Sequence, residues 1–209
     1  INFNQDVSSW TVSSVKEMTS MFKSCTAFNN GVTSSTSIPL KWTNFASDTE
    51  MDNMFEGCEN FNQDVSSWNV SSVIKMNNMF KECVVFNQDV SSWNVAKVTN
   101  MSHMFNGCSE FNQDVSSWGV SNVTNMSNMF NGCIAFNNGA GNQLTWNVAK
   151  VTNMCHMFNG CSKFNQDVSS WDVAIVEDMS NMFKGCDIFN QNVSLWNVSE
   201  VTNMSYMFK

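Results

Sequence analysis

From Phe86 to Glu110 the chain reads FNQDVSSWNVAKVTNMSHMFNGCSE, and this stretch recurs from one end of the molecule to the other. Its opening phrase, Phe-Asn-Gln-Asp-Val-Ser-Ser-Trp, begins at Phe3, Phe61, Phe86, Phe111 and Phe164, with looser forms at Phe28, Phe136 and Phe189. The steps between these phenylalanines are 25, 33, 25, 25, 25, 28 and 25 residues. Met-Phe pairs close on Phe22, Phe55, Phe80, Phe105, Phe130, Phe158, Phe183 and Phe208, and cysteines at 25, 58, 83, 108, 133, 161 and 186 follow them in fixed register. Self-similarity at such a period marks stacked units, none of which buries its apolar face alone. Residues 1–209 are therefore expected to form one solenoid of eight repeats. The abrupt ends, with no polar capping unit in view, suggest a piece of a longer chain.

Two copies are longer. Seven extra residues lie between Phe28 and Trp42, within Asn30 to Leu40, and one more lies between Trp42 and Met51. Three extra residues surround Gly139-Ala140-Gly141, between Phe136 and Trp146. Insertions are tolerated where a chain loops out of a stack, so the segment between Phe and Trp is expected to be a loop on one side.

Within the first unit, Trp10 and Val12 are two apart, the alternation of a strand. Val15, Met18, Met21, Phe22 and Cys25 fall mostly three or four apart, which predicts one face of a short α or 3₁₀ turn. One short parallel strand plus one helical turn per unit of about 25 residues is the leucine-rich-repeat plan. Side-by-side units would stack like side chains into ladders, with Trp10, Trp42, Trp68, Trp93, Trp118, Trp146, Trp171 and Trp196 forming one of them.

Composition narrows the function classes. The net charge is −8, and charged residues make up only 13% of the chain, so the polar surface is built from Asn, Ser, Thr and Gln. No basic run is present to neutralise phosphates, which disfavours nucleic acid, and anionic lipid is disfavoured by the same sign. No apolar run approaches the eighteen residues of a membrane span.

The run Met-Phe-x-x-Cys-x-x-Phe followed by Val-Ser-Ser-Trp-Asn-Val resembles the BspA-like leucine-rich repeat, especially the Asn- and Trp-rich form of mycoplasma surface lipoproteins. The resemblance covers every copy. It implies that Val65-Ser66-Ser67-Trp68-Asn69-Val70 corresponds to L-x-x-L-x-L, with Trp and Val in the core and the residues between them on the concave side. It further implies a cell-surface or extracellular location, a role in adhesion or partner binding, and no catalysis. Thr11, Gly119 and Leu195 depart from the chain's own consensus.

Several constellations have a chemical and a structural reading. The cysteines lack any C-x-x-C pair, and the only histidines are His103 and His156, so zinc spacing is absent. They are expected to be a ladder of small buried thiols, with Cys155, which replaces a Ser between two Met, the one candidate reactive thiol. Asp6, Asp64, Asp89, Asp114 and Asp167 share one repeat position. Stacked carboxylates repel unless screened or bridged, so a calcium ladder is one reading. The other is Asp accepting backbone N–H groups in turns, which the adjacent Asn residues favour. The candidate concave binding face consists of Ser9, Thr11, Ser67, Asn69, Ser92, Asn94, Ser117, Thr145, Asn147, Ser170, Asp172 and Asn197. Sequons at Asn69, Asn100, Asn122, Asn125, Asn192, Asn197 and Asn203 follow from the consensus itself. No nucleophile motif or phosphate loop occurs, and no catalytic or cofactor-binding residue is assigned. The chain is thus expected to be a surface module that binds a protein or glycan on another cell or in the matrix. The alternative is a structural protein whose repeats self-assemble into a filament, sheath or stalk.

Overall fold

The computed structural model describes residues 1–32, 39–140 and 143–209. Residues 33–38 and 141–142, the middle of both larger insertions, lie outside the described residues, and with them the loops expected there. The chain winds into stacked coils, numbered 1 to 8 from Phe3, Phe28, Phe61, Phe86, Phe111, Phe136, Phe164 and Phe189. Regular elements are few. The parallel strands β1 (Thr49–Glu50) and β2 (Val73–Lys75) pair Thr49 with Val73 and Glu50 with Lys75. Parallel bridges continue the same row, pairing Glu17 with Glu50, Asn100 with Asn125, Asn125 with Asn153, Asn153 with Asp178 and Asp178 with Asn203. A 3₁₀ turn spans Asn138–Ala140.

The remainder of each coil is a chain of β-turns. In coil 4, backbone N–H groups close Val90–Trp93 at 3.1 Å, Val95–Val98 at 2.9 Å, Met101–Met104 at 3.2 Å, Phe105–Cys108 at 2.9 Å and Cys108–Phe111 at 3.1 Å. An apolar residue stands at both ends of each turn, and small or polar residues fill the middle. The three-residue spacing of the apolar positions thus comes from turn ends that all point into the coil.

This corrects the expected helical face. His103 (φ 57°) and Gly107 (φ 81°) hold the third position of their turns in the left-handed region, as type II turns require, and a helix cannot pass through it. Asn53, Asn78, Asn128, His156 and Asn181 do the same in other coils, and Asn is among the residues that tolerate this conformation best. Turns free alternate N–H groups for the neighbouring coil. Met101, His103, Phe105 and Gly107 donate to Asn125, Ser127, Met129 and Asn131 at 3.0, 2.9, 2.9 and 2.7 Å, while Met104, Asn106 and Cys108 donate within their own coil. Every N–H of the segment is used without a helix.

The expected strand is also displaced. In the Trp-x-Val segment the only bridge among the described residues is Asn44 with Asn69. That segment is a short link between two turns, whereas Val-Thr-Asn-Met runs extended long enough to pair. There Thr124 donates to Thr99 at 2.9 Å and Met101 to Asn125 at 3.0 Å.

Side chains bind the coils as the backbone does. Phe105 of coil 4 stacks on Phe111, which opens coil 5, at 4.1 Å and on Phe130 farther along coil 5 at 5.6 Å. Trp68, Trp93 and Trp118 stack in series at 6.2 and 6.4 Å. Each indole also pins the preceding coil: Trp93 Nε1 donates to the Val65 carbonyl at 3.1 Å, which already accepts Trp68 N–H at 3.0 Å. Trp42 through Trp196 are buried. Trp10, with a neighbouring coil on one side only, is the exception at 48% exposed.

Candidate binding face

All twelve residues of the predicted face are exposed. They flank the ladder tryptophans, so the row follows from alternation about Trp, though the parallel ladder lies farther along the coil than expected. Asn69, Asn94, Asn147, Asp172 and Asn197 each accept, through Oδ1, the N–H of the residue two places on, at 3.3, 3.1, 3.2, 3.2 and 3.2 Å. This self-turn fixes the side chain with its other end outward. The Nδ2 groups of Asn69, Asn94, Asn147 and Asn197 make no hydrogen bond among the described residues. The serines tie coil to coil, Ser92 Oγ donating to the Ser66 carbonyl at 3.0 Å and Ser117 Oγ to that of Ser91 at 2.7 Å. The face is therefore a column of oriented amide donors on a fixed backbone. Gly119 and Asp172, which carry no amide donor, interrupt it, and Leu195, 85% exposed, replaces the serine beside Trp196.

The acidic row has a turn geometry. Asp6, Asp64, Asp89, Asp114 and Asp167 accept the N–H of Ser8, Ser66, Ser91, Ser116 and Ser169 at 2.8, 2.9, 2.8, 2.9 and 2.8 Å. In coil 8, Asn192 takes the position and holds Ser194 at 3.0 Å. The site asks for an oxygen acceptor, which a neutral amide supplies as well as a carboxylate. Hydrogen bonds from Ser8 and Ser169 hold the Asp6 and Asp167 carboxyls below the usual carboxylate range. Among the described residues, no three His, Cys, Asp or Glu side chains group as a metal would require.

The cysteine ladder is buried at Cys25, Cys58, Cys83, Cys108, Cys133 and Cys161, and partly exposed at Cys186. Its thiols have a second role that spacing alone did not suggest. Cys58, Cys83, Cys108, Cys133, Cys161 and Cys186 each donate, at 3.0 Å, to the carbonyl of the Met-Phe phenylalanine one coil back. Burial pushes Cys58 and Cys186 up to about 12, so these groups stay protonated donors. Cys155, outside the ladder, is half-buried, and burial followed by nearby Asp178 raises its pKa as well.

An asparagine ladder, following the motif phenylalanines, was legible only in its recurrence. The Oδ1 atoms of Asn4, Asn29, Asn62, Asn87, Asn112, Asn137 and Asn165 accept the N–H of the equivalent residue one coil on, at 2.8 to 3.1 Å. Both histidines, His103 and His156, occupy the left-handed third position of a turn, at φ 57°. His103 Nδ1 lies 3.0 Å from Asn106 Nδ2, and burial, aided by Lys81, lowers its pKa.

Among solved structures, the chain is similar to the T. pallidum leucine-rich-repeat protein TpLRR at 15% identity, covering 86% of this chain and 72% of that one with a TM-score of 0.48. It is similar to a leucine-rich cell-surface protein of Faecalibacterium prausnitzii A2-165 at 10% identity, covering 88% and 79% with a TM-score of 0.34. No curated protein sequence matches it. The model of one family, described as "Mycoplasma protein of unknown function, DUF285", matches residues 1–39, 36–143 and 138–209, and the chain belongs to that family.

Proposed function

We propose that the chain is a recognition module of a cell surface, binding an oxygen-rich partner, a glycan or an extended protein segment, along the row from Ser9 to Asn197. The observation behind this is the column of outward Nδ2 donors at Asn69, Asn94, Asn147 and Asn197, each held by its own turn. Donors fixed before binding lose little freedom when a ligand arrives, so weak contacts repeated along the stack add up. No helix among the described residues is long and apolar enough to cross a membrane.

The test is a binding screen of the intact chain against immobilised glycans and extracellular-matrix proteins, with Asn94→Asp and Asn147→Asp together as the control. Each change keeps the turn acceptor and removes the outward donor. A ligand retained by the parent and lost by the double variant supports the reading. A ligand bound equally by both sinks it. Sedimentation addresses the competing filament reading, which predicts growing oligomers at modest concentration.

A further inference from the structure

The middle of the candidate face has a gap, and the turn beneath it is left uncapped. Where Asn or Asp follows the tryptophan directly, at Asn69, Asn94, Asn147, Asp172 and Asn197, its Oδ1 accepts the N–H two residues on. Coil 5 has Gly119 in that place. The turn that follows is unchanged. Val123 N–H reaches the Val120 carbonyl at 2.9 Å, as Val98 reaches Val95 and Val151 reaches Val148 at the same distance. The Ser121 N–H therefore stands where Ala96 and Ala149 are capped, but it is exposed and has no acceptor among the described residues.

The backbone does not require this glycine. Its φ lies outside the left-handed region, and beyond its chain neighbours a Cβ would meet only the Ala96 side chain, at 3.7 Å. What the glycine leaves is the space of one Asn side chain beside a free N–H.

The rim of the notch is cationic. Lys150 Nζ donates to Asn122 Oδ1 at 2.8 Å, so its ammonium reaches back from coil 6 onto coil 5. Asn122 is itself held, its Nδ2 donating to the Ala96 carbonyl at 2.9 Å. Lys97 occupies the repeat position of Asn122 one coil earlier, exposed and with no hydrogen bond or ion pair among the described residues. Coils at strand spacing lie about 4.8 Å apart, within the length of a lysine side chain. No acidic residue occurs in 92–97, 117–122 or 145–150, in a chain of net charge −8. Coils 1 and 2, with Thr11 and Thr43 after the tryptophan, carry Ser14 and Ser47 where coils 4 and 6 carry these lysines.

Coil 7 shows what completes such a turn. There the Asp172 carboxylate accepts the Ala174 N–H at 3.2 Å. An incoming aspartate has the same short stem and the same oxygens, and between two ammonium groups its hydrogen bonds are charge-assisted. A uronic acid carries its carboxyl directly on a ring, with no stem to reach down.

We propose that the notch at Gly119 receives an aspartate side chain from an extended segment of a partner protein. Its carboxylate takes the Ser121 N–H and the Lys97 and Lys150 ammonium groups, while Asn94 and Asn147 Nδ2 on the flanking coils meet carbonyls of the segment. This rests on the surface-recognition reading and names the partner's chemistry within it.

The experiment titrates the intact, isotope-labelled chain with the blocked peptides acetyl-Ser-Asp-Ser-amide and acetyl-Ser-Asn-Ser-amide, following backbone amide signals by NMR. The expected result is a saturable shift of the Ser121 signal, tighter for the aspartyl peptide, with Ala174, already capped, unmoved. Gly119→Asn restores the cap of the other coils, so it should fold as the parent does and weaken the aspartyl peptide about tenfold, the worth of one charge-assisted hydrogen bond. Lys97→Gln and Lys150→Gln should each weaken it about two- to fivefold, as exposed charge contacts do. No saturable shift at Ser121, equal affinity for the two peptides, or undiminished binding by Gly119→Asn each overturns the proposal. So does a tighter response at Ser121 to methyl glucuronide than to the aspartyl peptide, which would assign the notch to a glycan. A partner from the broader screen held equally by Gly119→Asn but lost with Asn94→Asp and Asn147→Asp leaves the face reading standing while the notch proposal falls.

Discussion

Coils 4 and 6 leave their motif phenylalanine in different ways, and the difference shows how the stack accommodates extra chain. In coil 4, Phe86-Asn87-Gln88-Asp89 closes directly into the next turn. Gln88 Nε2 donates to Asn62 Oδ1 at 2.9 Å, and Asp89 caps Ser91 at 2.8 Å. In coil 6 the sequence is Phe136-Asn137-Asn138-Gly139, and coil 2 repeats it as Phe28-Asn29-Asn30-Gly31. Here Asn30 and Asn138 are buried in the left-handed region at φ 51° and 53°, and their Oδ1 atoms accept Val7 and Val115 N–H of the preceding coil, both at 2.8 Å. Gly31 and Gly139 donate to Asn4 and Asn112 Oδ1 at 2.8 and 3.1 Å. Both longer copies thus use one device. Gln-Asp closes the coil, whereas Asn-Gly turns the chain away while keeping the coil's hydrogen bonds to its neighbour.

The largest expected effect tests the closed coils. Trp93→Ala removes a buried ring stacked on both sides and the donor to Val65, and should cost about 3–5 kcal/mol in denaturant unfolding. Trp10→Ala, half exposed and stacked on one side, should cost under about 1.5 kcal/mol. Similar losses at both positions would mean that the stack does not depend on neighbours on each side.

Next comes the glycine of the departing coil. A Cβ on Gly139 would stand 2.9 Å from the Asp114 backbone nitrogen, at φ +63°. Gly139→Ala should therefore cost about 1–3 kcal/mol. Gly119→Ala, on the face and meeting only the Ala96 side chain at 3.7 Å, should shift the midpoint by less than about 0.5 kcal/mol. Equal effects would remove the special role of the Asn-Gly pair. A chemical probe sharpens the contrast of buried and exposed positions further. A neutral thiol reagent near pH 7 should modify Cys155 first in the native chain and Cys83, Cys108, Cys133 and Cys161 only after unfolding, because burial holds the ladder thiols protonated. Mass mapping of the labelled residues reads the order.

These contrasts also explain what the sequence revealed. The period, the core residues and the exposed face were legible because like positions must stack, and stacking repeats residue types. The helical reading failed because turn ends three residues apart imitate one face of a helix. The discriminating signal was present in Asn78, Gly107, Asn128 and Gly132, which recur at the third place of the turns leading to the Met-Phe pair and to the cysteine, where a helix gains nothing from them. The strand was misplaced because Trp10-Thr11-Val12 alternates over too few residues to separate a link from a ladder. The extra residue of coil 2 was visible in the spacing from Trp42 to Met51, but its place before Asn44 required the pairing of Asn44 with Asn69.

The smallest effect concerns acid. The Asp6 and Asp167 carboxyls are lowered by the hydrogen bonds they accept in the folded coil, first from Ser8 and Ser169. A carboxyl lowered on folding contributes stability that is fully present above its unfolded value, near about 3.9. That contribution is lost as the pH falls through the folded value. Asp167→Asn keeps the acceptor, as Asn192 does naturally, and removes the proton uptake. At pH 7 the variant should melt close to the parent, because the turn stays capped. Below about pH 4 its melting temperature should fall less steeply than the parent's. Two parallel curves of melting temperature against pH would show that the hydrogen bond from Ser169 does not distinguish the charged from the neutral cap, and that the Asp row owes its recurrence to something other than its turns.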